Sequence, residues 1–181
     1  MTGQGMTTSA RKPRLPVRFR RKVVVYATHR DASGLTRLLV FSKPDRPELG
    51  LEVPGGTIEA DESAEAAARR EFTEETGLAA PSLLTLLGEM TYVFRGDTPD
   101  EGAVRFEHRR SYFHVVLEDA PDQPWDFLEQ TPDSGGAPIR LRHEMVPMLP
   151  VPVLFARLDA FFPALYHHLG ISVGERAGER A

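Results

Sequence analysis

Three glutamates at i, i+3 and i+4, inside the stretch GTIEADESAEAAARREFTEETGL (Gly56–Leu78), constrain this chain more than any other feature. Helical periodicity places Glu71, Glu74 and Glu75 on one face, with Ala64, Ala67 and Ala68 one and two turns earlier. A small-residue face packs closely against another element, so the acids extend a packing face. That arrangement is costly. Like charges at these spacings repel by about 0.2–0.5 kcal/mol per pair. The negative end of the helix dipole adds to the cost, and burial adds desolvation or raises the carboxylate pKa values. A hard divalent cation relieves all three. An all-oxygen site favours Mg²⁺, with Mn²⁺ as a substitute and Ca²⁺ allowed by ligand type. The competing reading is a charged, solvated helix.

The surrounding spacing separates the two readings. Gly56, five residues, Glu62 and seven residues precede Arg70-Glu71-Phe72-Thr73-Glu74-Glu75-Thr76-Gly77-Leu78. This matches G-x5-E-x7-R-E-U-x-E-E-x-G-U, with U bulky and apolar, at every specified position. A chain of ordinary composition would do so by chance on the order of once in a million. The pattern is the Nudix box, and over these 23 residues the chain resembles the Nudix (MutT-like) hydrolase family. Phe72 departs mildly, because the family more often carries an aliphatic residue there.

The resemblance implies an α+β fold, a Nudix-type α/β/α sandwich with a mixed β-sheet. It implies hydrolysis of a pyrophosphate bond in a nucleoside diphosphate linked to another moiety, by water attack on phosphorus. A diphosphate repels water and hydroxide, and cations on its oxygens neutralise that charge, position the water and stabilise the leaving group. By the same resemblance Glu71, Glu74 and Glu75 are the metal-binding acids, with the carbonyl of Gly55 or Gly56 as a further ligand. Arg70 orients the glutamates, so that Glu71, Arg70 and Glu74 form the catalytic set. Glu62 supports the loop–helix geometry and Gly77 closes the helix. In some members the residue matching Glu71 is the general base; in others a later loop supplies it, for which Glu129, Asp133 and Glu144 are the candidates. The competing class is a Nudix-fold nucleotide-binding or regulatory module without catalysis. Such modules commonly lose box glutamates, and this chain retains them.

Composition narrows the setting. The 181 residues have room for one domain. A net charge of −4 argues against a general nucleic-acid or membrane-surface binder. There is no cysteine, which excludes thiolate chemistry and zinc–sulfur sites and fits a reducing compartment. No apolar run approaches a membrane span, and no apolar segment follows Arg11, Lys12 and Arg14, so a cytoplasmic protein is expected. The expected partner is a small-molecule nucleotide; the oligomeric state stays open, a homodimer included. Residues 1–16 and 173–181 read as tails around a domain at 17–172.

Within that domain, Lys22–Ala27 reads as a central strand and Leu38–Phe41 as its hairpin partner. Leu51–Val53 reads as a short strand before Pro54-Gly55-Gly56. Ser63 caps a helix over Ala64–Thr76. Leu83–Leu87 and Met90–Phe94 read as two strands, and Ala103–Leu117 as one strand bulged near His108–Ser111. Glu118–Pro138 reads as a loop bordering the site, and Ile139–Val146 as a final strand. A C-terminal helix from Leu154 to Leu169 is kinked or split at Pro163.

Other residues carry weaker signals. His108, His114, His143, His167 and His168 read as packing or surface groups. Gly135-Gly136 reads as a turn. Arg105, Arg109 and Arg110 either contact phosphate or decorate an exposed strand. The patterns associated with NADH and coenzyme A pyrophosphatases are missing, and no proline lies about sixteen residues beyond the box. Tyr92 stands there instead, a loose likeness to dinucleoside polyphosphate hydrolases. Nucleotides, dinucleoside polyphosphates and nucleotide-sugars all remain open.

Overall fold

A computed structural model describes residues 14–132 and 135–172. Strand β1 (Val17–Arg30) is followed by β2 (Thr36–Ser42), helix α1 (Ala64–Thr76), β3 (Thr85–Thr98) and β4 (Gly102–Val116). Strands β5 (Trp125–Glu129) and β6 (Ile139–Pro147) and helix α2 (Phe162–Leu169) complete the fold. The six strands form one sheet in the order β3-β4-β1-β2-β6-β5. Strand β1 runs parallel to β4, and every other pairing is antiparallel. The sheet is therefore mixed, as expected.

The period-2 alternation of β1 divides the core. Val23, Val25 and Ala27 face α1, where they meet Ala67, Ala68 and Phe72. Val24 and Tyr26 face the other way, onto Phe162, Leu165 and Tyr166 of α2. Residues Val23–Thr28 are buried on both faces, which explains their unbroken apolar sequence. Helix α1 starts where Ser63 accepts a hydrogen bond from the Ala66 N–H, a cap worth about 1 kcal/mol. It stops at Gly77, whose φ of 72° suits a residue without a Cβ.

Between β1 and β2 the sheet opens. The two strands pair only over Thr28–Arg30 and Thr36–Leu38, and the segment Glu52–Ile58 fills the gap below. On one side Val23 and Val25 donate to the Gly56 and Pro54 carbonyls at 2.9 and 2.7 Å. On the other, Phe41 and Glu52 exchange both backbone hydrogen bonds. The Leu51–Val53 strand is thus reduced to isolated bridges. Its backbone is satisfied at the centre of the domain, which fixes the next residues firmly.

Several boundaries differ from expectation. Thr85–Leu87 and Met90–Phe94 belong to one strand, β3, because the register shifts by a bulge between Leu86 and Gly88 and pairing to β4 resumes at Gly88. The bulge foreseen in β4 near His108–Ser111 is absent. That strand keeps continuous register with β1 from Arg105 to Val116. Its change of apolar parity instead marks where coverage by the helices ends. The loop foreseen at Glu118–Pro138 contains β5, an edge strand paired to β6. Pro163 stands in the first turn of α2, where a missing N–H costs nothing, and a separate 3-10 turn covers Phe155–Arg157. Of the expected tails, only residues 14–16 are described.

Candidate active site

Helix α1 presents Glu71 and Glu75 to the filled gap in the sheet, at 4% and 6% exposure. The Gly55 N–H donates to the Glu75 carboxylate at 2.8 Å. A Cβ on Gly56 would stand 2.2 Å from the Glu71 carboxyl group, and one on Gly55 would stand 2.3 Å from the Val23 carbonyl oxygen. Only glycine permits these approaches without a shift of backbone or buried acid. Glu129, buried at the end of β5, joins them. Burial pushes the Glu75 carboxyl well above the usual carboxylate range, and the nearby charges of Glu129 and Glu71 push it further. The Gly55 hydrogen bond and Lys43 act the other way. Lys43 itself pairs with Glu52 at 2.9 Å.

Arg70 ties the loop to the helix. Its guanidinium donates to Glu62 at 3.0 and 2.9 Å, Glu71 at 3.0 Å, Glu74 at 2.9 Å and the Thr57 carbonyl at 3.0 Å. The Glu62 contact above all holds Arg70 firmly cationic, and the same contact lowers the Glu62 carboxyl pKa. A two-pronged arginine–carboxylate contact within a network is worth more than an isolated surface pair. Arg70 thereby fixes the position of Glu71 while Glu62 anchors Arg70.

The expected site residues separate into groups. Glu71, Glu75, Gly55 and Gly56 meet, with Arg70 and Glu62 behind them and Gly77 ending the helix. Glu74 turns toward Arg70 with its side chain 39% exposed. Of the three acids considered as a base from a later loop, Glu129 reaches the group. Glu144 does not: it is exposed on β6 and lines a separate hollow with Arg37, Asp119 and Pro121. The strand period turns its neighbour His143 into the core, and so turns Glu144 out. Asp133 lies outside the described residues.

Among the described residues no three acid or imidazole side chains stand ready as a metal cage. Arg70 engages Glu71 and Glu74 together, while the Gly55 N–H engages Glu75, so Glu75 points to a different partner from the other two. The donor set nonetheless fits a hard cation. Glu71, Glu75 and Glu129 are buried together, and the cations near them, Arg70 and Lys43, are shared with Glu62, Glu74 and Glu52. Buried carboxylates in excess of cations carry a desolvation cost that Mg²⁺ or Mn²⁺ would remove. Of the two glycine carbonyls considered as a further ligand, that of Gly56 accepts a hydrogen bond from the Val23 N–H at 2.9 Å.

On the α2 side, Gly55 also lines a cavity of about 270 Å³ with Lys22, Glu52, Tyr92, Phe94, His108, Arg110 and Phe155. The Arg110 guanidinium lies 4.1 Å over the Tyr92 ring and donates to the Ala156 carbonyl at 2.7 Å. Arg110 is buried, unlike Arg105 and Arg109, which pair with Glu107 and Glu89 on exposed strand surface. Of this wall, sequence reasoning singled out Tyr92 and Arg110 and missed Phe94 and Phe155. The signal available was the shared parity of Tyr92 and Phe94 in β3. His114 and His143 are buried, as the packing reading holds, with pKa values lowered by burial to about 4. The Gly135 N–H donates to the Pro132 carbonyl at 2.7 Å.

The NUDIX domain profile matches residues 18–135. No curated protein sequence matches the chain. Among solved structures, the Nudix domain of Shewanella oneidensis NrtR, complexed with ADP ribose, superposes with a TM-score of 0.60 at 16% identity. That match covers 84% of this chain and 89% of the other. A C. elegans Ap4A hydrolase complex gives 0.53 at 12% identity, over 83% and 98%. The MutT protein from Methanosarcina mazei Go1 gives 0.52 at 15% identity, over 87% and 99%. At these identities the likeness establishes the fold, and together with the profile match over most of the chain it settles the family. The chain belongs to the Nudix family.

Proposed function

We propose that this protein hydrolyses a pyrophosphate bond in a nucleoside diphosphate linked to another moiety, with Mg²⁺ or Mn²⁺ held by the box acids. The observation that carries the reading is the buried meeting of Glu71 and Glu75 at Gly55–Gly56, with buried Glu129 near Glu75, beside a cavity of about 270 Å³ walled by aromatic rings. That volume sits near the lower bound of roughly 300–1,000 Å³ for small-molecule sites, the scale of one nucleoside. The ADP ribose bound by the NrtR domain and the activity of the Ap4A hydrolase agree with a nucleotide substrate.

The cation, when bound, supplies charge neutralisation at the phosphate oxygens. The chain supplies the rest. Glu71 and Glu75 would hold the metal from α1, with Glu74 as the third box acid beside Arg70. Arg70 and Glu62 keep Glu71 from swinging away. Glu71 or Glu129 takes the proton of the attacking water. The rings on the α2 side hold the nucleoside while the diphosphate passes Gly55.

The test is a hydrolysis screen with and without Mg²⁺, over nucleoside triphosphates, dinucleoside polyphosphates, nucleotide-sugars and coenzyme A. Metal-dependent turnover of at least one compound is expected. Glu75→Gln should lower kcat by roughly 10²–10³-fold, the scale of losing one electrostatic group in such a site. Turnover unchanged in Glu75→Gln, or none with any compound, removes the catalytic reading and leaves a nucleotide-binding module.

A further inference from the structure

One wall of the cavity beside Gly55 is the turn that leads into α2, which supplies Phe155, Ala156 and Leu158. Its backbone is strained. Ala156 and Arg157 stand consecutively in the left-handed region, at φ 50° and 60°, and neither is a glycine. A Cβ there crowds the next carbonyl, so single residues enter that region at a cost and adjacent pairs at more. Such a turn persists only where its surroundings over-determine it.

Three side chains of the sheet supply that constraint. The Ala156, Arg157 and Leu158 carbonyls accept in order from the Arg110 guanidinium at 2.7 Å, the Tyr112 hydroxyl at 3.3 Å and the Tyr26 hydroxyl. Arg110 and Tyr112 are two apart on β4 and Tyr26 lies on β1 alongside, so the strand period puts all three on the α2 face. Tyr112 also stacks on Phe161 at 4.5 Å, and Tyr26 accepts from the Phe161 N–H. The two tyrosines therefore belong to the packing under α2. Arg110 differs: of the three it alone lines the cavity, buried, with its guanidinium 4.1 Å over the Tyr92 ring. It ties the β3 wall to the turn.

We propose that Arg110 is a positioning residue, a latch that holds the strained turn and its Phe155 ring in place as a wall of the cavity. Its kinetic consequence rests on the nucleotide-hydrolase reading above: the latch sets how tightly a nucleotide is held, not how fast its diphosphate is cut. Glu71 and Glu75 belong to α1, which packs on the opposite face of the sheet, so a loosened turn leaves them in place. Neither phosphate contact nor surface decoration then describes Arg110.

Timed tryptic digestion of the full chain, with fragments read by mass, tests the latch without any substrate, because Arg157 is exposed within the turn. Cutting there tracks the population in which the turn is open. Arg110→Met keeps an unbranched stem and removes the donors. Cutting after Arg157 should then quicken by roughly 10- to 150-fold, the scale of one lost hydrogen bond to a charged group. Ala156→Gly relieves the strain, so the double variant should fall back toward the wild-type rate. For a nucleotide that the hydrolysis screen identifies, Arg110→Met should raise KM at unchanged kcat, the mark of lost uniform binding. No quickening after Arg157, an equal quickening at every other basic residue, a double variant as fast as Arg110→Met, or a loss in kcat alone overturns the proposal. Selective quickening without turnover of any compound refutes the hydrolase reading alone; turnover without selective quickening refutes this one alone.

Discussion

The two halves of β1 carry opposite chemistry. Its inner half, Val23–Thr28, is buried on both faces and anchors the Gly55–Gly56 segment against Glu71 and Glu75. Its outer half, Val17–Lys22, is largely exposed and borders a ring-lined hollow. Reaction chemistry needs the first environment, because a buried acid keeps its position and its altered proton affinity only when packing holds it. The second makes no such demand, since its side chains already meet solvent. One strand thus joins a rigid reactive end to an accessible outer one.

The contrast breaks first at Phe72, which is fully buried under the inner half. Phe72→Ala should cost about 3–5 kcal/mol, read by urea unfolding, and should scatter Glu71 and Glu75 with it. A loss below 1 kcal/mol would mean that the inner half is not the rigid one.

A pH titration sharpens the contrast at a smaller scale. His114 is buried beside Thr28, with its pKa lowered from 6.5 to about 4 by burial and by His168. A histidine with a lowered folded pKa contributes stability that is present above pH 6.5 and lost as pH falls toward 4. The loss is about 1.4 kcal/mol for each unit of that window. Glu75 has the opposite sign: its raised pKa contributes stability that is lost as pH rises. His114→Phe isolates the histidine, and chemical unfolding at pH 7 and pH 5 should then show a flatter decline than in the wild type. An unchanged decline would place the acid sensitivity elsewhere.

The smallest expected effect lies on the outer half. Arg20→Ala removes an exposed side chain and should change stability by no more than about 0.5 kcal/mol, measured by the same unfolding. A larger loss would make Arg20 a structural residue and blur the division along β1.

Local signals were legible in the sequence, and long-range ones were not. Helix α1, its Ser63 cap and its Gly77 stop follow from spacing within fifteen consecutive residues, and the structure reproduces them. Strand β5 was hidden because its neighbourhood is rich in Pro, Asp and Gly; its pairing with β6 supplies what composition withholds. Gly88 suggested a break in β3, yet hydrogen bonding to β4 carries the strand past it. At the site, spacing singled out Glu71, Glu74 and Glu75, and the resemblance to the Nudix box added Arg70. Separating Glu129 from Glu144 needed the register of β5 and β6.

What the chain determined by itself is the reactive helix, because residues three and four apart share a face wherever the helix packs. Tertiary structure decided which distant acid joins it and which rings and cations meet beside the outer half of β1. Those groups come from strands up to ninety residues apart, and only cross-strand register, set by the whole sheet, brings them onto one face.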